Sequence, residues 1–461
     1  MTIGTLPDDV LIKIFKFFVD AMYHYYTTSE KWCVLVHVCR RWRNLAFTCP
    51  RHLNLQIFFR PPERSVNRML DIWPKNLPIH IHAFDCSTKV DRDDVVAAFR
   101  LNHRVSVIHL EDPSDSAWET FRPLMNHPFP ALTNCWVQRS YDQIKDTISF
   151  SFLGGSAPSL RDLHLDRVPF PALPNLLLSA TNLVSLWYDN IPRSGYYISP
   201  QEMVTGLSAL TRLDILSLTF QSPEPLPDRE LRIPPPHART LLPALTHLRF
   251  RGVPEYMEYL VVQIHNRLLK VMEITFFHRE VLEVSELAKF IRTADKLSLV
   301  DRGEVTFTSE YISIKLSEQL WSADAPKTLM FYSACFESEF RLSYLAQLCA
   351  SCFATPSPFE SLYIRIPLEY MWEDVMDDPD DRWLDLLRAF STVKHLHLSR
   401  TAASRVAQAL RRLPLERVTE VLPALEIVFL SGPEHFGSVM EALTEFADAR
   451  QVSGHPVSIY D

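Results

Sequence analysis

Residues 160–165 read LRDLHL, and the pattern L-x-x-L-x-L returns as LVSLWY at 183, LDILSL at 213, LTHLRF at 245, VKHLHL at 393 and LEIVFL at 425. Looser copies are VSVIHL at 105, LTNCWV at 132, VMEITF at 271, ADKLSL at 294, PKTLMF at 326 and FESLYI at 359. From 105 onward the steps are 27, 28, 23, 30, 32, 26, 23, 32, 33, 34 and 32 residues. Alternate side chains of a strand leave opposite faces, so the fourth and sixth positions of each copy point into one shared interior. Each step leaves room for a return segment long enough for a helix, and stacked units of this kind bury a face that none could cover alone.

Several return segments carry helix-start chemistry. Ser199-Pro200-Gln201-Glu202 reads as a capping box with proline at the first helical position, and Ser438-Val439-Met440-Glu441 as a second one. Pro-x-L lead-ins (APSL, and LPAL twice) set an extended backbone before a strand, which accounts for many of the 33 prolines. The proline-rich SPEPLPDRELRIPPP, 222–236, reads as a surface loop between repeats.

This spacing resembles that of leucine-rich repeats. The resemblance is partial: where a repeat places Asn or Cys three residues past the motif's end, this chain has Val168, Ile191, Gln221, Val253 and Thr401. Its turns therefore need other hydrogen-bond partners, and an irregular arc is expected. An ordinary α/β domain with leucine-rich strands is the alternative. In a repeat arc the residue between the two core positions faces the concave side; here these are Trp136, His164, Trp187, Ser217, Arg249, Tyr363, His397 and Phe429. Aromatic rings and arginines are common interface anchors, so a protein-substrate face is expected there, unless irregular repeats bury some of these rings.

The first sixty residues have a different pattern. In LPDDVLIKIFKFF, 6–18, Pro7 suits a helix start, Asp8 and Asp9 suit its dipole, and Val10, Leu11, Ile14, Phe15 and Phe18 recur at helical spacing. A second helix is predicted over about 29–47, before Pro50. On it Trp32, Leu35, Val36, Cys39, Trp42 and Ala46 share one face, and Val34, Val38 and Leu45 form another stripe. Two apolar faces exceed what so small a unit can cover, so one should meet a second chain. Arg40, Arg41 and Arg43 then flank a tryptophan anchor at the interface rim or meet acids on the partner.

LPDDVLIKIF at 6, LVHVCRRWRNLA at 35 and PRHL at 50 together resemble the F-box, found in the substrate-receptor subunits of cullin-based ubiquitin ligases. The longer joint between helices resembles fungal variants, and His52-Leu53 stands where many members have Leu-Trp. The resemblance implies that Leu6, Pro7, Val10, Leu11, Ile14, Val38, Cys39, Arg40 and Trp42 dock on the ligase's small Skp-type adaptor, apart from those that hold the F-box's own core. Through the adaptor the chain would reach a cullin.

The net charge of −8 argues against general nucleic-acid or anionic-membrane affinity, although residues 1–60 carry 8 Lys or Arg against 4 Asp or Glu. A helix-turn-helix DNA reader fits RRWR superficially but finds no further basic elements. With no signal-like start and scattered cysteines, a reduced cytoplasmic or nuclear setting is expected. Cys349-x-x-Cys352 reads as two small hydrophobes on a helix, the rival being a redox pair. His80-x-His82 and His395-x-His397 read as satisfied strand histidines, since neither pair has a carboxylate or Cys near it in sequence. The acidic run 373–381 lacks the glycine and final glutamate of a calcium loop. No catalytic residue, metal or cofactor is expected.

The expected architecture is α/β: a small helical F-box over 1–60, then an irregular leucine-rich-repeat-like solenoid over 61–461 that holds a protein substrate. The chain would be a non-enzymatic substrate receptor, or else a scaffold that binds the adaptor and delivers nothing.

Overall fold

The structure is a computed structural model that describes residues 6–22, 32–50, 52–53, 57–59, 73–140, 147–192, 198–222, 240–266, 268–277, 284–294, 302–307, 312–317, 328–334, 341–352, 360–366, 380–431 and 437–460. They form two compact units, Met1–Leu213 and Asp214–Asp461. The proline-rich loop lies outside the described residues apart from its first residue, as do the acidic run up to 379 and all but the first residue of the copy at 294.

The first unit opens with helices α1 (Asp8–Met22), α2 (Cys33–Val38) and α3 (Arg40–Thr48). The single helix predicted over 29–47 is thus two, broken where Cys39 is extended at φ −159° and ψ 169°. The break is chemically satisfied. The Cys39 thiol accepts the Trp42 N–H at 3.5 Å, and Arg43 Nε donates at 2.9 Å to the Val36 carbonyl, which the missing helical turn would otherwise leave open. Arg41 donates to Asp8 Oδ1 and to the Leu6 carbonyl, both at 2.6 Å, tying α3 to the start of α1. Two of the three arginines therefore act within the domain. Leu11, Phe15, Val19, Trp32, Leu35, Val36 and Ala46 are buried. Phe15 packs on Trp42 at 4.8 Å between ring centroids, and Trp32 on Trp73 at 5.2 Å.

Six strands follow in this unit: β1 (Ile57–Phe59), β2 (Ile79–Phe84), β3 (Val105–Glu111), β4 (Asn134–Gln138), β5 (Asp162–Asp166) and β6 (Ser185–Ile191). Each pairs in parallel with the next in chain order. The connections include helices Lys89–Phe99, Asp115–Leu124 and Leu173–Ser179, so strand, return and strand repeat as the spacing predicts. The capping box at Ser199 is present, with the Ser199 side chain accepting the Glu202 N–H and the Glu202 carboxylate accepting the Ser199 N–H.

The second unit holds β7 (Ile215–Phe220), β8 (Thr240–Leu241), β9 (His247–Gly252), β10 (Ile264–His265), β11 (Val271–Phe277), β12 (Arg302–Phe307), β13 (Ile312–Ser317), β14 (Thr328–Ala334), β15 (Ser361–Arg365), β16 (His395–Ser399), β17 (Ile427–Ser431) and β18 (Ser458–Tyr460). β8 and β10 form a small parallel pair. In the main sheet β7, β9, β11 and β14 run parallel, as do β12, β15, β16, β17 and β18. Between these runs β13 pairs antiparallel with both β14 and β12. The chain thus skips ahead to β12 and returns through β13 to place β14 beside β11, an irregularity larger than uneven repeat length. The last helix begins at Gly437, so Ser438 lies inside its first turn and is not the cap expected from sequence.

The repeat positions behave as their chemistry dictates. In the six clear copies the first, fourth and sixth residues are all buried, from Leu160, Leu163 and Leu165 to Leu425, Val428 and Leu430. In place of an asparagine ladder, backbone bonds continue past the strand ends. Asp85 N–H donates to the Glu111 carbonyl, Asp112 N–H to Gln138 and Arg167 N–H to Asp189, at 3.0–3.1 Å. Asp85, Asp112, Arg167 and Asn190 take positive φ of 45–57°, turning the chain out of the sheet at the strand ends. Asn190 Nδ2 adds a bond to Asp166 Oδ1 at 2.8 Å. Among the described residues no helix is long and apolar enough to cross a membrane.

Candidate functional site

On α1 and α2 the inward and outward faces separate cleanly. Ile14 and Phe17 on α1, and Val34 and Val38 on α2, are exposed, Phe17 by 80%. A three-residue or four-residue offset puts each pair on one stripe of its helix. Pro7, Cys39 and Arg40 are also exposed, while Leu6, Val10 and Trp42 are half-buried. Leu11 is the correction: it is fully buried and serves the helices' own core, so it is withdrawn from the adaptor-facing set. Helical spacing alone cannot say which stripe faces inward; the packing of Phe15 on Trp42 fixes it. Phe17, three residues after Ile14 and seven after Val10, was legible from the same helical spacing.

On the sheet of the first unit, His82, His109, Trp136, His164 and Trp187 occupy one cross-strand rung. Ring centroids are 4.4 Å apart for His82 and His109, 5.0 Å for His109 and Trp136, 3.9 Å for Trp136 and His164, and 6.1 Å for His164 and Trp187. The last three pairs are stacked, which leaves ring edges toward the open side of the sheet. Trp136 remains 38% exposed, and Trp187 Nε1 donates to Ser185 Oγ at 2.7 Å. The rung two residues further along holds Glu111, Gln138, Asp166 and Asp189, so carboxylates border the aromatic stripe. Burial holds His109 down at about 4, with His82 and His164 adding repulsion; burial also lowers His164, against the pull of Asp189 and Asp166.

The second unit builds a similar stripe. Tyr363 stacks on His397 at 4.1 Å, His397 on Phe429 at 4.5 Å, and Phe429 on Tyr460 at 5.8 Å. Arg249 is exposed beside Glu273, its Nε 3.6 Å from the carboxylate. Ser217, which the same rule placed on the concave side, is fully buried. Neither sequence alternative holds outright: the rings pack face to face and remain partly open.

His397 sits at about 4 because burial strips water from its charged form, with His395 and Arg302 adding repulsion. A folded-state pKa below the ordinary 6.5 means that the unfolded chain takes up a proton the folded chain refuses. The stabilisation is present above about 6.5 and is lost as pH falls toward about 4. His397→Phe keeps a ring between Tyr363 and Phe429 and removes this titration. Urea midpoints measured at pH 7 and pH 5 are expected to fall less in the variant than in the parent chain, and equal falls would refute the assignment.

Cys349 and Cys352 are buried in the helix Arg341–Cys352, and burial pushes both thiols up, away from the reactive thiolate. Sequence spacing did not link His82 to a carboxylate, yet the β2–β3 register brings it to His109 and Glu111. His109 was legible in principle as the fifth position of the copy at 105, and Tyr460 follows from adding one strand beyond the last copy.

Residues 3–58 match the family model described as F-box-like. No curated protein sequence matches the chain. Among solved structures the chain is similar to the leucine-rich repeat-containing protein LegL7 from Legionella pneumophila, at 12% identity and a TM-score of 0.28, over 86% of this chain and 98% of that one. It is also similar to a chain of the TLR13–ssRNA13 complex, at 10% identity and a TM-score of 0.27, over 82% of this chain and 45% of that one. Both superpositions are loose; the α/β, solenoid-like character is visible in the chain's own ladder of largely parallel strands. The N-terminal helices are an F-box-like domain.

Proposed function

We propose that this chain is the substrate-receptor subunit of a cullin-based ubiquitin ligase. Its F-box-like helices dock a Skp-type adaptor, and the repeat sheets hold a protein substrate. The observation that carries this reading is the set of exposed apolar side chains on α1 and α2, Ile14, Phe17, Val34 and Val38, in helices whose own core is already closed by Leu11, Phe15, Trp32, Leu35 and Val36. Such side chains gain from being covered by another protein. Pro7, Cys39 and Arg40 border the same helices. The adaptor would connect the chain to a cullin, and 1–60 and 61–461 would divide recruitment from recognition.

The aromatic stripes support the substrate half of the reading. Stacked, pre-ordered rings lose little conformational entropy when a partner covers them. Catalysis would be by proximity: the receptor holds a substrate lysine near a ubiquitin donor carried elsewhere in the complex, so no residue of this chain does covalent work.

The deciding experiment deletes residues 1–60 in cells. A protein captured by both full-length and truncated chains is expected to accumulate, with a longer half-life, in cells carrying the truncated form. Unchanged half-lives for all captured proteins would favour a scaffold that binds the adaptor and delivers nothing.

A further inference from the structure

Two imidazoles and a carboxylate converge on the first unit's sheet in a way the receptor role does not require. His82 on β2 pairs across the ladder with His109 on β3, and Glu111 lies two residues beyond His109, so all three leave the same face. Glu111 Oε2 is 3.9 Å from His82 Nε2 and 3.9 Å from His109 Nε2. One donor atom from each residue lies within 4.8 Å of the other two.

We propose that His82, His109 and Glu111 form a binding site for one divalent transition-metal ion, zinc in the first instance. The distances are too long for a carboxylate hydrogen-bonded to either ring, which would bring N and O to about 2.8 Å. They are close to the spacing of atoms sharing a central ion. Bonds of about 2.0–2.1 Å to tetrahedral zinc set ligand atoms about 3.4 Å apart. Glu111 is 39% exposed, and side-chain rotations have to close about half an ångström on the two Glu–His distances and at most about 1.4 Å within the 4.8 Å spread of the set.

The stripe itself prepares the ligands. Stacking on Trp136 occupies a face of the His109 ring, whereas coordination uses the in-plane lone pair at its edge, so the two interactions are compatible. His82 Nε2 is buried, while the side chains of His109 and Glu111 are 24% and 39% exposed, so an ion would enter from the Glu111 side. Two nitrogens and one oxygen suit zinc and its transition-metal neighbours; magnesium and calcium prefer all-oxygen shells, and copper(I) prefers sulfur. Three protein ligands leave a coordination position for water or a donor group on a bound partner. This site stands apart from the receptor reading and survives its failure.

The test strips the full-length chain with a chelator and titrates cobalt(II), then zinc. One equivalent of cobalt is expected to give a four-coordinate or five-coordinate visible spectrum without a thiolate charge-transfer band, and zinc to displace it. Metal affinity should fall in His109→Ala and in Glu111→Gln by more than the roughly 10–100-fold that loss of a ligand's outer-shell partner costs, since each removes a ligand itself. His397→Ala, on the other stripe, should leave it unchanged. No cobalt spectrum in folded parent protein, a thiolate band, or equal affinity in the variants would overturn the proposal. Should His109→Ala misfold, the partly exposed Glu111→Gln decides alone.

Discussion

Phe15→Ala is expected to melt the N-terminal helices, whereas Phe17→Asp, two residues away, leaves them folded and removes adaptor docking. Phe15 is fully buried with its ring 4.8 Å from that of Trp42, while Phe17 is 80% exposed. Truncating a buried phenylalanine costs about 3–5 kcal/mol, which is large for three short helices. An exposed side chain has almost no folded-state packing to lose. If it is an anchor of the adaptor interface, placing a charge there should cost at least about 2 kcal/mol of binding, or about 30-fold in affinity. Limited proteolysis reports the fold, and biosensor titration with a purified Skp-type adaptor reports binding. Early cleavage is expected for Phe15→Ala only and weak binding for both variants. Parent-like affinity in Phe17→Asp would remove α1 from the interface.

Trp136→Ala carries the next largest effect, at the other end of the proposed function. The indole is stacked between His109 and His164, 5.0 and 3.9 Å away, and is still 38% exposed. A partner meeting this face finds a stacked aromatic edge beside the 39% exposed Glu111 carboxylate, while Asp166 and Asp189 lie buried below. Cationic or planar side chains complement such a surface. Losing a central anchor of this type costs about 2 kcal/mol or more. The affinity of the full chain for a captured protein partner should therefore drop at least about 30-fold in Trp136→Ala. Tyr363→Ala asks the same of the second unit's stripe. Undiminished capture in both variants would place recognition elsewhere.

The legibility of these surfaces in the sequence follows physical lines. The buried positions of LRDLHL and its copies were legible because a two-residue period and a shared interior leave little freedom. The capping box at Ser199 was legible for a local reason: both of its hydrogen bonds lie within four residues. The break at Cys39 was not, since no glycine or proline marks it and Arg43, four positions on, supplies the missing donor. β12 and β13 do alternate, with Val305 and Phe307 in one strand and Ile314 and Leu316 in the other buried. That alternation carries no leucine repeat and does not announce an antiparallel return. Ser217 obeyed the repeat rule in spacing and broke it in burial, which shows that position five is exposed only where the local arc leaves that face open.

Convergence of His82, His109 and Glu111 required the register itself. His82 and His109 are separated by a helix and two turns, and only the parallel pairing of β2 with β3 sets them side by side. The same applies to Leu11. Its place on the helical period was plain, but its inward direction depends on α3 closing over α1 through Phe15–Trp42 and Arg41–Asp8.

Side-chain oxidation by hydroxyl radicals, with and without a purified Skp-type adaptor, tests most directly whether α1 and α2 are covered by another protein. The account predicts that modification of Phe17, Val34 and Val38 falls several-fold on adding the adaptor, while Trp136 and Tyr363 are unchanged. Equal modification of those three residues at saturating adaptor would contradict it.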